Sequence, residues 1–411
     1  MDETQSWKTD RWWTSHYNFD PEVTKKFAFQ EGIELHDVTL RDGEQTPGVV
    51  FTRKEKVEIA MALDGAGVHR IEAGMPAVSE DDREAVKEIV KGVTKSRVFA
   101  FCRVRKEDVD ASVACGVDAV VLEIPALSQR LKVLGLTVEK AAENAVGVIE
   151  YAKGLGLFVV FFPYDTTRTT LDSVMTMARA GEAAHADRLA IVDTVGGASP
   201  EGFSHLVRTV RSATKTQLEV HCHNTLGVGV ANTIGGLAAG AKCAHLAVNG
   251  IGEGAGNVAL EEAVFALKLL YGIDCGVNID RLYELSKVVA ERSGIGLAVN
   301  KPVFGKNIFR RESGMVVERY YKMPDVAREL ELMDPAWFAG ETEIVLGKKS
   351  GKYSILFALR KRGLTATDEQ VKEILERVKS VSISKKGLVT ESELDEILKN
   401  TLAKTGTASP V

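Results

Sequence analysis

The feature that most constrains this chain is a regular alternation of short β-branched runs with longer segments of helical periodicity. Strand candidates fall at Ile33–Leu40, His69–Ala73, Val98–Arg103, Ala119–Ile124, Phe158–Phe162, Arg188–Val192, Leu218–His223 and Ala244–Val248. The stretches between them, among them Thr52–Gly65, Asp81–Val93, Thr137–Leu155 and Thr170–Ala184, space apolar residues along one helical face. Strand then helix, eight times over about 240 residues, predicts an α/β chain folded as a closed (β/α)8 TIM barrel, with a doubly wound open sheet as the weaker alternative. The expected barrel domain is 31–272. Beyond Gly272 the buried strands stop, and a mainly helical C-terminal region is expected in two parts, 273–339 and 340–411, with helices at Ile279–Arg292, Leu364–Ser380 and Thr390–Leu402. The tail Thr405–Val411 is expected to fray. Residues 1–30 hold Trp7, Trp12, Trp13, Tyr17 and Phe19 without periodicity, and such an aromatic arm suits packing or a subunit contact better than a ligand box.

At 411 residues the chain exceeds one typical domain, and its 45% apolar and 27% charged residues are those of a soluble globular protein. With 52 Lys and Arg against 57 Asp and Glu, the net charge of −5 gives no basic field for nucleic acid or an anionic membrane, so neither is an expected partner. Cys102, Cys115, Cys222, Cys243 and Cys275 are odd in number and contain no C-x-x-C pair. That argues against a disulfide framework or a thiolate zinc site, and a reducing cytoplasm is the expected location. No basic-then-apolar leader opens the chain, and no apolar run approaches the roughly 18 residues of a membrane span.

In a barrel, chemistry gathers at the C-terminal ends of the strands. Strand 1 runs into Thr39-Leu40-Arg41-Asp42-Gly43-Glu44-Gln45, and strand 7 ends in His221-Cys222-His223-Asn224. Strand alternation points His221 and His223 the same way and Cys222 the other. Two imidazoles with the carboxylate of Asp42 would form a three-ligand divalent site with positions open to substrate or water; the bland reading is a pair of packed strand histidines. Arg41 beside such a ligand would stabilise an alkoxide growing on an attacked carbonyl, or it is a structural ion pair with Glu72 or Glu44. Glu72, ending strand 2, could orient Arg41 under both readings. Thr194, after strand 6, could donate to a substrate carboxylate or cap the next helix. The glycine-rich turn Asn249–Asn257 follows strand 8 and suits close backbone approach to a phosphate or acyl group, without being a dinucleotide fingerprint. Asn257 could be a fourth ligand or a helix N-cap.

Taken together, these residues resemble the DRE-TIM metallolyase family, within it the homocitrate synthase and isopropylmalate synthase branch. The resemblance covers roughly 31–400 and rests on His36–Gln45, Ile71-Glu72-Ala73-Gly74, His221–Thr225 and Val248–Glu262. Asn300-Lys301-Pro302, Glu312-Ser313-Gly314 and Leu346–Gly351 look like the synthases' communication and second C-terminal subdomains, which the family's simpler lyases lack. The resemblance implies a divalent metal (Zn, Mn, Co or Mg) on Asp42, His221 and His223, to which Asn257 is the candidate fourth ligand from the residue reading above. It implies an acyl-CoA, acetyl-CoA foremost, condensing with a 2-oxo acid, followed by thioester hydrolysis. Arg41 would stabilise the alkoxide, Gln45 would seat the acid and Thr194 would bind its carboxylate. Arg103 and Phe162, ending strands 3 and 5, are the remaining expected substrate contacts. A homodimer with the C-terminal region over the partner's barrel mouth is also implied.

The chain departs from that pattern in three places. Strand 5 ends Phe161-Phe162-Pro163-Tyr164-Asp165 where the synthases usually carry Ser-x-Glu-Asp, and here it looks more like the lyases' Pro-Tyr-Glu. The strand 4 loop reads Pro125–Lys132 in place of Ser-Asp-x-His-x-x-x-Lys. The synthases' His-x-Ser-Gly-Ile-His is Arg311–Val316, so Val316 stands where a histidine is thought to assist proton abstraction. Tyr164 or Arg311 is the expected substitute, with removal of the proton by a different group as the alternative. The alternative function is a metal-dependent carbon–carbon lyase of the HMG-CoA lyase type; a homologue that binds metal without turnover is the third.

Overall fold

The computed structural model describes residues 6–338 and 340–403, so the tail expected to fray lies outside the described residues. It divides into two compact units, residues 15–297 and residues 1–14 with 298–411. The division thus falls 25 residues beyond the expected boundary at Gly272, because helix Leu282–Ser293 packs on helix Arg53–Ala66.

The first unit is a closed barrel of eight parallel strands: β1 Glu34–Asp37, β2 Arg70–Glu72, β3 Arg97–Arg103, β4 Ala119–Pro125, β5 Phe158–Tyr164, β6 Arg188–Asp193, β7 Gln217–Cys222 and β8 Cys243–Leu246. β1 pairs with β8 as well as β2, which closes the ring. No edge strand is left, and the open-sheet alternative is excluded. Strand identities follow the β-branched runs, but β1 stops at Asp37. Beyond it the backbone turns, and the Asp37 side chain accepts from the Thr39 amide (2.9 Å) and hydroxyl (2.8 Å). Thr39 in turn accepts from Val248 N, so the turn that carries Arg41 and Asp42 is tied to the strand 8 turn.

Helix starts are written into the sequence. Thr52, Ser79, Thr137, Thr170 and Ser199 each accept from a backbone amide of the first turn, and Thr52 with Glu55 completes a capping box. Phe99, Phe101, Ala119, Val121, Val160, Phe162, Ala190 and Val192 fill one side of the barrel interior. The other side is polar, as described below.

In the second unit, helices Lys352–Lys361, Asp368–Lys385 and Glu391–Leu402 pack around Ile355, Leu359, Val371, Ile374, Val378, Leu394 and Leu398. Arg310–Arg311 pairs in parallel with Glu343–Ile344. The N-terminal arm divides. Trp12 bridges Met333 and stacks on Trp337, with Arg11 over the Trp337 ring at 4.3 Å. Phe27 and Phe29 belong to the barrel unit and meet Tyr271 edge-on. All five cysteines are buried and unpaired. Among the described residues no helix is long and apolar enough to cross a membrane.

Candidate active site at the barrel mouth

Asp42 leaves the β1 turn, and His221 and His223 leave β7 on the same face, as alternation requires. Their ligand atoms lie within 4.8 Å of one another and all three residues are buried. His221 Nε2 stands 3.7 Å and His223 Nε2 3.9 Å from Asp42 Oδ2, too far for hydrogen bonds yet close enough to share one ion. His223 Nδ1 lies 3.3 Å from the Glu253 carbonyl, which favours the proton on Nδ1 and leaves Nε2 its lone pair. Burial, reinforced by His223 and His245, holds His221 well below the usual imidazole range, so it is a neutral ring able to act as a ligand.

Asn257 donates from Nδ2 to Asp42 Oδ1 and to the Ile251 carbonyl, both at 3.1 Å, while its Oδ1 is buried without a partner. An orphaned buried carbonyl oxygen beside two histidines and a carboxylate fits a divalent cation. The helix-cap reading of Asn257 does not hold: the following helix starts at Leu260, with Ala259 at its N-cap position. The glycine-rich turn folds on itself. A Cβ on Gly256, at φ +88°, would sit 1.9 Å from the Gly250 carbonyl oxygen, so the glycines are needed for the turn's own packing, which sets Asn257 in place.

Arg41 is nearly buried. Its Nε donates to Glu72, its Nη1 to Asp42 at 3.0 Å, and it lies over the Phe101 ring at 3.8 Å. Nη2 is buried with no partner, a donor left over beside the Asp42 carboxylate. The ion-pair and site readings of Arg41 are therefore one arrangement, in which Glu72 aims the guanidinium. Burial alone would push Glu72 up; Arg41 and His36 outweigh it and hold the carboxyl at about 2.

Gln45 is exposed and shares a cavity of about 220 Å³ with Arg41, Leu40, Met75 and Val78. Lys56 lines the same cavity, 2% exposed and clasped by Glu44 (2.6 Å) and Asp82 (2.5 Å). Thr194 is not the cap of the next helix, which is Ser199; its hydroxyl oxygen accepts from Asp165 N at 2.8 Å and anchors the β5 loop. Arg103 is held by Asp108 at 2.8 and 2.9 Å. Phe162 is buried, with its ring 5.3 Å from His221 and 5.7 Å from His245. Tyr164 is partly buried with Arg130 over its ring, and burial pushes its phenol up. Arg311 belongs to the other compact unit and donates to Glu331 (2.5 Å) and to the Ile308 carbonyl (2.7 Å).

Two features escaped the sequence reading. Glu123, on the inward face of β4, is partly buried; burial raises its carboxyl above the usual range, opposed by Arg41. Beneath the mouth, His36, Glu219 and His245 form a second buried group of two histidines and a carboxylate. His36 and His245 stack at 4.4 Å, His245 bonds Glu219 at 2.9 Å, His36 contacts Glu72 at 3.3 Å, and Arg70 bridges Glu219 and Glu34. A glutamate inside the apolar run Val120–Pro125, at the parity of Ala119 and Val121, was the available signal for Glu123.

Fold and site define a TIM-barrel protein whose strand ends gather two histidines and a carboxylate as a candidate cation site. Residues 32–289 match the family described as HMGL-like, and 303–386 match the homocitrate synthase post-HMGL domain-like family. The chain belongs to the HMGL-like family. It is 41% identical over 370 residues to homocitrate synthase AksA of Methanothermobacter thermautotrophicus, covering 90% of this chain and 93% of that protein. A probable 2-isopropylmalate synthase of Ignicoccus hospitalis is 42% identical (90% and 92% covered), and a putative (R)-citramalate synthase CimA of Archaeoglobus fulgidus 39% (90% and 75%). Among solved structures, an HMG-CoA lyase of Bacillus subtilis superposes with TM-score 0.60 at 18% identity over 66% of this chain and 96% of that one; the likeness is one of fold.

Proposed function

We propose that this protein is an acyltransferase of the condensing kind, joining an acyl-CoA to a 2-oxo acid and releasing CoA by thioester hydrolysis. The observation that carries it is the convergence of Asp42, His221 and His223 with the unpartnered Nη2 of Arg41, in a chain that continues into the synthases' post-barrel domain. A divalent cation held by Asp42, His221, His223 and the Asn257 oxygen would supply Lewis acidity to the oxo acid's carbonyl. Arg41 donates to the oxygen on which charge develops, Glu72 keeps the guanidinium in place, and the His223–Glu253 contact fixes the ring that faces Asp42. The Thr194 hydroxyl, whose oxygen is already engaged by Asp165 N, has its proton left for a substrate carboxylate. Gln45, Arg41 and the Met75–Val78 wall receive the acid's side chain.

The lyase reading draws on the Pro163-Tyr164-Asp165 stretch, but the post-barrel match and the synthase relatives at about 40% identity favour condensation. A cytoplasmic homodimer, with the C-terminal region serving the partner's barrel, completes the proposal. Roles for Tyr164, Arg311, Arg103 and Phe162 in substrate handling also belong to it. The test is product analysis: acetyl-, propionyl- and malonyl-CoA are each incubated with a panel of 2-oxo acids and a divalent metal. Mass spectrometry is expected to find one 2-hydroxy diacid whose mass equals the oxo acid plus the free carboxylic acid of the transferred acyl group, the water of thioester hydrolysis included. Formation of an acyl-CoA and an oxo acid from a 3-hydroxy-3-carboxy thioester, with no condensation, would move the assignment to the lyase.

A further inference from the structure

The condensation needs a base for the α-proton of the acyl-CoA. Four glutamates on the strands turn toward the barrel interior: Glu34, Glu72, Glu123 and Glu219. Three are committed. Glu34 and Glu219 share Arg70 and Arg188, Glu219 also holds His245, and Glu72 holds Arg41 and His36. The Glu123 carboxylate, unlike its backbone carbonyl, which accepts from Val104 N, makes no hydrogen bond or ion pair with any described residue. It is the fifth residue of β4, on the face that carries Ala119 and Val121 into the interior. In register it lies opposite Arg103 on β3 and Phe162 on β5, and the Phe162 ring rests against His221. The charges acting on its carboxylate are those of Arg41, Glu72, Arg103 and Asp42. An uncommitted carboxylate therefore stands in the layer of the cation site, only partly buried and so reachable from the mouth.

The other groups of the mouth are poor acceptors. Arg41 and Arg103 stay protonated. Asp165 is clasped by Arg130 and Arg168, and Glu44 by Lys56. The Tyr164 phenol keeps its proton more tightly than a free phenol. His221 and His223 converge on Asp42, and His36 and His245 are fully buried.

We propose that Glu123 is the general base of the condensation, an assignment that rests on the condensing reading above. A C–H bond of the acyl group's α-carbon breaks, its proton goes to a Glu123 carboxylate oxygen, and its electron pair forms the enolate. The enolate carbon bonds the carbonyl carbon of the oxo acid, and the carbonyl π pair moves to the oxygen that faces Arg41. Glu123 returns the proton to that alkoxide, which regenerates the carboxylate. Water then cleaves the thioester and releases CoA thiol.

The experiment uses the metal-loaded full chain. Thiol release is measured for wild type and Glu123→Gln, together with metal content, melting temperature, and incorporation of solvent deuterium into the acetyl-CoA methyl group. Glu123→Gln is expected to lower kcat about 100-fold, leave KM within about threefold, and slow deuterium incorporation in step, with metal content unchanged. Glu123→Asp, which keeps a carboxylate set back by one methylene, is expected to recover part of the loss and serves as the readout if the glutamine variant does not fold. A wild type that turns over beside Glu123→Gln with kcat within about threefold, or, where the glutamine variant does not fold, beside Glu123→Asp with kcat within about threefold, overturns the base assignment and leaves the condensing reading standing. A wild type with no turnover across the substrate panel overturns both.

Discussion

The barrel contains two groups with the same inventory, two histidines and a carboxylate, and they are built for different ends. At the mouth, Asp42, His221 and His223 approach without bonding one another, and an orphaned oxygen of Asn257 joins them. In the interior, Glu219 is hydrogen-bonded to His245 and ion-paired to Arg70, with Arg188 at 3.5 Å, while His36 leans on Glu72. A dication entering the lower group would meet two guanidiniums around Glu219; at the mouth it meets one, Arg41 on Asp42, beside the neutral His221 ring and the unpartnered Asn257 oxygen. Ligand identity is equal in the two groups, so the surrounding charge decides which binds.

The largest effects should come from exchanging the roles of the two groups. His221→Ala is expected to empty the site and lower condensation by roughly 1,000-fold or more, whereas His245→Phe should leave bound metal at the wild-type stoichiometry. Metal analysis of the purified variants, read beside thiol release, separates them; equal metal loss in both would erase the distinction. Glu219→Gln strips a fully buried partner from Arg70 and should cost about 3 kcal/mol in urea unfolding while the mouth still binds metal. Glu72→Gln sits between the groups. It frees Arg41 without removing a ligand, so kcat should fall about 100-fold at unchanged metal content.

The smallest effect is a pH dependence of stability. Burial, with His245 adding to it, lowers His36 from 6.5 to about 4, so the folded chain keeps it neutral in a range where the unfolded chain protonates it. Unfolding therefore takes up a proton between pH 6.5 and 4, and stability falls as the pH drops through that window. His36→Phe should flatten this part of the unfolding-midpoint profile; an unchanged slope would place the titration elsewhere.

The mouth was legible because its signals are local. His-x-His on one strand shares a face by alternation, and Arg41-Asp42 follows a strand in the same turn. Helix starts were legible for the same reason, through Thr and Ser caps three residues ahead of their partners. The interior network was not. His36, Arg70, Glu219 and His245 lie on four strands, and only the register that sets His36 beside both Arg70 and His245, and Glu219 two residues before His221, brings them together. The commitments of Arg103 to Asp108 and of Arg311 to Glu331 were likewise hidden, since a sequence shows a guanidinium but not which carboxylate claims it. The self-packing of Asn249–Asn257 was hidden as well: a Cβ on Gly250, Gly252 or Gly256 would meet Asn257 or Gly250, while one on Gly254 would meet nothing within 4 Å.

The central claim is that the mouth group makes this chain a metal-dependent condensing enzyme. Thiol release from acetyl-CoA with the 2-oxo acid panel, measured on chelator-stripped protein and again after one divalent ion is restored, tests it most directly. The account predicts release with at least one oxo acid, its loss on stripping and its return on reconstitution; release that survives full removal of metal, or none from fully reconstituted protein, would contradict it.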